Sequence, residues 1–324
     1  MQPSPQLQST IDRPVSVTGF GFWSGLDVCL EFRPANADTG VVFVRRDLPG
    51  NPRIPARIHH RVHGPRRTTL VHNGCAVELV EHVLAALHGL QIDNCEIWID
   101  RAEVPGMDGS SQPFVDALSR AGRVILDTGR VITNVTGTIH VGDEDSWITA
   151  EPSRSGQLEL IYKMEYDHEP MPGTQEFSAT LSPGIFATEI AAARTFLLES
   201  EANQMRSTGV GRRVTNRDIL IFNEHGPVGN ILRYENECAR HKLLDMVGDL
   251  ALLGTGLAGK FTAFRSGHRL NAQMAFALLE QSALDPAGIE CPPEDAENEQ
   301  GETPGIIPMS SHRGFKDPNA RKSA

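Results

Sequence analysis

Residues 240–250 read Arg-His-Lys-Leu-Leu-Asp-Met-Val-Gly-Asp-Leu and combine an apolar helical pattern with polar residues four apart. The apolar positions recur at the spacing of one helix face and predict a helix that is buried on that side: Leu243, Leu244, Val247, Leu250 and Ala251. On such a helix His241, Asp245 and Asp249 share a second face, because residues four apart lie one above the other. An imidazole and a carboxylate one turn apart can bind one cation, so His241 and Asp245 are candidate metal ligands. Taken alone, the pattern also fits a solvated helix face with an ordinary histidine.

A second polar pair, Glu81-His82, lies in an apolar-periodic run at 76–87 that Gly89 could end as a C-cap. In zinc hydrolases a histidine next to a glutamate binds the metal, and the carboxylate takes a proton from water. An ordinary surface Glu-His pair is the alternative for this segment alone. A third segment, Ser266–Asn271, places His268 after a glycine, in a loop or at the start of a helix.

Together the three segments resemble the UDP-3-O-acyl-N-acetylglucosamine deacetylases, the zinc amidases that catalyse the committed step of lipid A biosynthesis. Further stretches in the same order look like signatures of that family: Ile92-Asp93-Asn94, Glu103-Val104-Pro105-Gly106-Met107-Asp108-Gly109-Ser110, Pro113-Phe114-Val115 and Ala193-Arg194-Thr195-Phe196. The resemblance covers roughly residues 14 to 280, and chance agreement of so many separated motifs is very improbable.

The resemblance implies a metal site and a proton-transfer pair. His82, His241 and Asp245 would bind the metal and leave a fourth position for water, as in catalytic zinc sites. Glu81 would be the general base, and a protonated His268 would be the general acid that serves the leaving amine. Zinc is expected, but two histidines and a carboxylate also suit iron(II).

Four more roles are implied by the same resemblance. Asp249 would orient His268, and Thr195 would help to stabilise the tetrahedral oxyanion. Lys242 would meet the nucleotide diphosphate. Phe196 would pack on the sugar or on the start of the acyl chain. Apolar residues near it would line an acyl passage, although they also fit an ordinary core: Leu197, Leu198 and Met205.

Two departures from the family pattern bear on substrate fit. In Gly19-Phe20-Gly21-Phe22-Trp23-Ser24-Gly25, Trp23 stands where the family usually has a histidine near the active site that is not a ligand. Trp23 could stack on a ring instead. The stretch 212–218, Arg-Arg-Val-Thr-Asn-Arg-Asp, replaces the usual Gly-Ser-x-Asp-Asn, and its arginines could shift the substrate contacts.

The pattern along the chain predicts an α+β fold. Alternating apolar residues predict strands at 28–32 and 95–99 with a helix at 76–88 between them, and strands at 138–141, 147–150 and 158–162 in a second unit. The resemblance implies two similar layered sheet and helix domains with the metal site at their interface. We expect a flexible segment at 1–13, domains at 14–125 and 126–284, and a disordered acidic, proline-rich tail at 285–324.

Composition narrows the class of protein. A net charge of −11 argues against a nucleic-acid partner. The basic cluster at 53–67, with its prolines and without interleaved aromatic residues, is better explained as a solvated strand and turn. No apolar run of about 18 residues could span a bilayer, and residues 1–12 lack the apolar core of a signal peptide. We therefore expect a cytoplasmic monomer without a transmembrane segment, and reduced thiols at the five widely spaced cysteines.

Three functions are compatible with the sequence. The first is removal of the N-acetyl group from UDP-3-O-(3-hydroxyacyl)-N-acetylglucosamine, with release of acetate, the committed step of lipid A biosynthesis. The second is deacetylation of another acylated nucleotide sugar by a divergent paralogue, which Trp23 and the stretch 212–218 favour. The third is a non-catalytic metal- or nucleotide-sugar-binding protein, which would have no need of Glu81 and His268.

Overall fold

The computed structural model describes residues 6–64, 66–166 and 172–284. Its α-helices are α1 (Glu81–Gly89), α2 (Gln112–Ala121), α3 (Pro183–Ile185), α4 (Glu199–Ser207), α5 (Glu237–Leu250) and α6 (His268–Leu284). Short 3-10 helices lie at Ile58–His60 and Ala251–Leu253, and a π-helix lies at Phe186–Ile190. The strands of the first half are β1 (Leu7–Ile11), β2 (Val15–Phe20), β3 (Asp27–Pro34), β4 (Val41–Arg45), β5 (Arg53–Pro55), β6 (Arg61–Val62), β7 (Thr69–His72), β8 (Cys75–Glu78), β9 (Cys95–Ile99) and β10 (Arg123–Gly129). Those of the second half are β11 (Ile132–Asn134), β12 (Ile139–Gly142), β13 (Trp147–Glu151), β14 (Leu158–Met164), β15 (Gln175–Thr180), β16 (Phe196–Leu198), β17 (Leu220–Asn223), β18 (Gly226–Pro227) and β19 (Gly256–Phe264).

The first half contains a five-stranded sheet in the order β2-β3-β9-β4-β5, and helix α2 packs against it. Val28, Leu30 and Phe32 of β3 are buried because alternate residues of a strand point to the same face. The ring of Phe32 meets Phe114 of α2 edge-on, with centroids 6.4 Å apart. The strands predicted at 28–32 and 95–99 are confirmed.

The second half repeats this layering with a sheet in the order β12-β13-β19-β14-β15, and β11 pairs in parallel with β19. Helices α5 and α6 pack against this sheet. The buried Tyr162 of β14 donates a 2.5 Å hydrogen bond to the carbonyl oxygen of Ser266, which fixes the segment that leads into α6. The predicted strands of this half are confirmed, with end points that differ by one or two residues.

The two halves meet where α1 packs against α5, and a glycine sets how closely. A Cβ at Gly248 would lie 2.1 Å from the carbonyl oxygen of Glu81, far inside any normal contact. Only glycine therefore allows the backbone of α1 to lie directly against α5 at this level. The Glu81-His82 pair and the helix face with His241 and Asp245 come together at this crossing. This placement agrees with the prediction of an α+β fold with a site between its two halves.

Two segments differ from their predictions. The helix predicted at 76–88 begins at Glu81, because residues 75–78 form strand β8 and Leu79, with a φ of 61°, breaks the chain direction between them. Residues 7–11, which were expected to be flexible, form β1 and pair with β10. Ile11 is buried, and the Ser9 backbone N–H donates to the Asp93 carboxylate at 2.9 Å.

The expected tail at 285–324 lies outside the described residues, and the domain limits at 14–125 and 126–284 stay predictions. Within the described ranges, no helix is both long enough and apolar enough to cross a bilayer. Cys75, Cys95 and Cys238 are buried free thiols, and Cys29 is a half-buried one.

Candidate metal centre and active site

His82 of α1 and His241 and Asp245 of α5 form a buried cluster of three potential metal ligands, with one atom of each within 4.8 Å of the others. The Asp245 Oδ1 atom lies 3.3 Å from His241 Nε2 and 3.7 Å from His82 Nε2. Ligands on bonds of 2.0–2.2 Å at tetrahedral angles would be about 3.4 Å apart. The donor set and its spacing therefore fit a four-coordinate metal ion with one position left open.

Neighbouring groups fix the orientation of these potential ligands. The Nδ1–H of His241 donates to the carbonyl oxygen of Ala193 at 3.0 Å, which leaves Nε2 free to bind a metal. Burial lowers the pKa of His241 to about 3, so the imidazole is neutral, as a metal ligand must be. Ser111 donates its hydroxyl hydrogen to the carbonyl oxygen of His82 at 2.8 Å and anchors the first turn of α1.

Lys242 lies beside the cluster of potential ligands formed by His82, His241 and Asp245. Its Nζ donates to Asp245 Oδ2 at 3.1 Å, while Oδ1 of the same carboxylate faces the histidines. Burial by itself would raise the pKa of Asp245, but the charged Lys242 ammonium group beside it outweighs burial and holds that pKa well below the usual range. The ammonium group also lies 5.7 Å from the centre of the Phe196 ring. Lys242 therefore keeps Asp245 ionised and presents a cation at the edge of the cluster.

Glu81 and His268 face each other next to this cluster of potential ligands. Glu81 Oε1 lies 3.9 Å from His268 Nε2, and His268 Nδ1 donates to Asp249 Oδ2 at 2.8 Å. Burial alone would lower the pKa of His268, but the carboxylates of Asp249, Glu81 and Asp245 outweigh it and raise that pKa to about 9. Burial raises the pKa of Glu81, although His268 and His82 oppose this. The geometry thus pairs a protonated imidazole, oriented by Asp249, with a carboxylate in a poorly solvated position.

Thr68 and Asn271 complete this arrangement. The Thr68 backbone N–H donates to Glu81 Oε2 at 3.0 Å, and its hydroxyl donates to Asp249 Oδ1 at 2.5 Å. Asn271 Nδ2 donates to Asp249 Oδ2 at 2.8 Å. Asn271 belongs to a quoted motif, but nothing local marks Thr68, because its partners are 13 and 181 residues away in the chain.

Thr195 and Phe196 are placed next to the cluster by a buried ion pair. Arg194 Nε donates to Glu237 Oε1 at 2.8 Å, and the side chains of Arg194 and Glu237 are 6% and 0% exposed. This pair holds the segment whose Ala193 carbonyl binds His241. Thr195 is half-buried, and its hydroxyl has no hydrogen-bond partner within the described parts of the chain. Phe196 is 8% exposed and packs edge-on against Tyr166 and Phe222.

An apolar groove lies beside this segment, between the first turn after β2 and the α4 region. Leu197 and Met205 line this groove, whereas Phe196 and Leu198 are not among its lining residues, and its use as an acyl passage stays a prediction. The other lining residues come from both halves of the protein: Phe22, Trp23, Arg66, Leu79, Ala202, Arg206, Val210, Gly211, Val214 and Ile219.

Trp23 is at the wall of this groove. The guanidinium carbon of Arg67 lies 4.1 Å above the Trp23 ring, and Arg67 pairs with Glu78 at 2.9 Å. The turn itself is held by the buried Glu103, whose carboxylate accepts the backbone N–H groups of Trp23 and Ser24 at 2.8 Å each. In this structure Trp23 stacks with the Arg67 guanidinium group, and stacking of Trp23 on a substrate ring stays a prediction.

The stretch 212–218 makes contacts with the same turn. Arg213 Nη1 donates to the carbonyl oxygen of Gly25 at 2.7 Å and to Asp27 Oδ1 at 2.8 Å. Its guanidinium also lies 4.4 Å from the Phe20 ring. Arg213 thus joins the loop after α4 to the β2–β3 turn.

Comparisons with known proteins identify the family of this chain. The family model described as UDP-3-O-acyl N-acetylglycosamine deacetylase matches residues 8–280. Similar proteins named UDP-3-O-acyl-N-acetylglucosamine deacetylase include one from Anaeromyxobacter dehalogenans, 36% identical over 86% of this chain and 88% of the relative. Two others are from Leptospira biflexa serovar Patoc, 38% identical over 85% and 90%, and from Hahella chejuensis, 38% identical over 85% and 91%. This chain therefore belongs to the UDP-3-O-acyl-N-acetylglucosamine deacetylase family.

Proposed function

We propose that this protein removes the N-acetyl group from UDP-3-O-(3-hydroxyacyl)-N-acetylglucosamine and releases acetate, in the committed step of lipid A biosynthesis. The observation that carries the proposal is the placement of an acid–base pair, Glu81 and His268, directly beside a three-ligand metal cluster in a chain of this family. A protein that only binds a metal or a nucleotide sugar has no use for that pair. A cytoplasmic location and a monomeric state belong to the same proposal.

Zinc is the ion we propose for His82, His241 and Asp245, with iron(II) as the other ion that this donor set suits. When bound, the ion would lower the pKa of a water molecule and polarise the amide carbonyl. Its three ligands come from the packed helices α1 and α5, so the site needs little rearrangement to accept it.

Glu81 would take the proton from the attacking water, because its carboxylate lies beside the cluster and is poorly solvated. His268 would start protonated and give its proton to the nitrogen of the sugar as the C–N bond breaks, so that the products are acetate and a free amine. Asp249 would hold the imidazole in the donating orientation and stabilise its positive charge. The unpartnered hydroxyl of Thr195 would donate to the oxyanion of the tetrahedral intermediate.

The substrate would lie across both halves of the protein. The Lys242 ammonium group lies 3.1 Å from Asp245 of the cluster and would meet the diphosphate. The groove lined by Leu197 and Met205 would take the acyl chain, since it is apolar and opens beside Trp23. Phe196 would pack on the sugar or on the start of the acyl chain.

The experiment is the release of free amine from UDP-3-O-(3-hydroxyacyl)-N-acetylglucosamine by purified protein. The protein is assayed as isolated, after removal of metal with a chelator, and after addition of zinc or iron(II). We expect turnover that is lost with the metal and restored by it. Plain UDP-N-acetylglucosamine serves as the control substrate and should react far more slowly, because it has no chain to fill the groove.

Metal binding without turnover on the acylated substrate would contradict the proposal. In that case the divergent paralogue would be the better reading, and the Arg67–Trp23 stack would be the first place to look for the altered preference. Glu81→Gln is the matched control, because it keeps the shape of the side chain and removes the base while the three ligands remain.

A further inference from the structure

Thr68 forms hydrogen bonds to both Glu81 and Asp249, the residue that orients His268. It lies outside the helices that carry these residues. It lies between β6 and β7 and is fully buried. Its backbone N–H donates to Glu81 Oε2 at 3.0 Å, and its carbonyl oxygen accepts the Val80 N–H at 3.3 Å. Its backbone is therefore fixed to the first turn of α1.

The Thr68 hydroxyl points in the other direction, towards α5 and α6. It donates to Asp249 Oδ1 at 2.5 Å and lies 3.4 Å from His268 Nδ1. The second oxygen of that carboxylate, Oδ2, already accepts from His268 and from Asn271, each at 2.8 Å. Within the described residues, Thr68 is thus the donor to the oxygen that His268 and Asn271 leave open.

This arrangement matters because Asp249 is 1% exposed and cannot rely on solvent. A buried carboxylate oxygen without a donor is unfavourable and draws protons more strongly. The group nearest to respond is His268, which faces Asp249 and Asp245 of α5 and Glu81 of α1. Loss of the Thr68 hydroxyl would therefore affect His268 through Asp249. The hydrogen bond from the Thr68 N–H to Glu81 would remain.

We propose that Thr68 is a positioning residue, which places Glu81 through its backbone N–H and fixes the orientation of His268 through the bond from its hydroxyl to Asp249. The inference rests on the proposed function of that pair. A role in packing alone would need only the volume of the side chain. A positioning role needs the hydroxyl group.

The test compares Thr68→Val, which keeps the shape and removes the hydroxyl, with Thr68→Ser, which keeps the hydroxyl. Thr69→Val is the matched control, because the Thr69 hydroxyl has no hydrogen-bond partner in the described part of the chain. The pKa of His268 is measured by NMR titration of the full-length, metal-free protein with labelled histidine. The kcat/KM of the zinc-loaded protein is measured on the acylated UDP-sugar, and thermal unfolding shows that each variant is folded.

We expect Thr68→Val to raise the pKa of His268 above its wild-type value and to lower kcat/KM by about 10- to 100-fold, the usual cost of losing a supporting hydrogen bond at a metal site. Thr68→Ser and Thr69→Val should keep the wild-type pKa and most of the turnover. If Thr68→Val does not fold, Thr68→Ala supplies a second variant without the hydroxyl.

Two results would overturn the inference. One is a folded Thr68→Val protein with a wild-type His268 titration or wild-type kcat/KM. The other is an equal loss in Thr68→Val and Thr68→Ser, which would assign Thr68 a packing role. Absence of turnover in the wild-type protein would instead refute the proposed function, and the NMR comparison would then decide the role of Thr68 by itself.

Discussion

Replacing Gly248 with alanine tests whether the close approach of α1 and α5 sets the geometry of the site. The added Cβ would lie 2.1 Å from the carbonyl oxygen of Glu81 and 2.8 Å from its carbonyl carbon. Both are backbone atoms, so no side chain can rotate away to relieve the contact. Since real Cβ contacts stay above 3.0 Å, the helices must separate by about 1 Å.

That separation would affect both the geometry of the site and the stability of the helix packing. His82 and Glu81 would move with α1, away from His241 and Asp245 on α5. A displacement of about 1 Å in a catalytic arrangement can cost about 100-fold in rate. Overpacking costs about 1–3 kcal/mol of unfolding free energy, and alanine returns about 1 kcal/mol of helix propensity. We expect a modestly destabilised protein whose kcat/KM falls by about two orders of magnitude and whose metal affinity is weaker.

The assay measures three quantities on Gly248→Ala: the free energy of unfolding in urea, zinc affinity by competition with a chelator, and kcat/KM for amine release. Gly184→Ala is the control, because a Cβ at that helical glycine would have no neighbour within 4 Å. Wild-type values of all three quantities in Gly248→Ala would refute the reasoning that this contact sets the site.

Three further outcomes follow from contacts in the same region. Asp249→Asn removes the anion that most raises the pKa of His268, so the decline of kcat/KM at high pH should begin at a lower pH than in the wild type; a pH profile with an unmoved basic limb would argue against His268 as the acid. Asp245→Ala should weaken zinc binding while His268→Ala leaves it nearly intact, and equal metal loss measured by chelator competition would mean that His268 is a ligand. Glu237→Ala leaves the 5% exposed Arg194 without its carboxylate and should lower the unfolding free energy by about 3–5 kcal/mol in urea titrations, so a loss below about 1 kcal/mol would show that the pair contributes little.

Local patterns in the sequence were enough for elements whose burial follows a simple period. Strand β9, with Cys95, Ile97 and Ile99 buried in alternation, matches its predicted limits. The predicted start of the helix at residue 76 was wrong, because the apolar residues before Glu81 fit a strand as well as a helix. The left-handed backbone of Leu79 that separates the two elements has no signature in a leucine side chain.

The site divides in the same way. The i and i+4 spacing of His241 and Asp245 and the adjacent Glu81 and His82 are local patterns, and the structure brings all four together with His268. Thr68 could not be found in this manner, because its role depends on a hydroxyl reaching Asp249 across 181 residues of chain. The contact of Gly248 with Glu81 is another long-range relation, which the sequence records only as a glycine inside a helix.

The turn at Trp23 separates the path of the backbone from the side chain that faces the groove. Glu103 holds the turn through the backbone N–H groups of Trp23 and Ser24, so the path of the chain does not depend on which side chain stands at position 23. A substitution there changes the wall of the groove and leaves the architecture in place. Position 23 can therefore accept a different side chain on the groove wall without disturbing the turn, and the tryptophan–arginine stack is the wall that this chain carries.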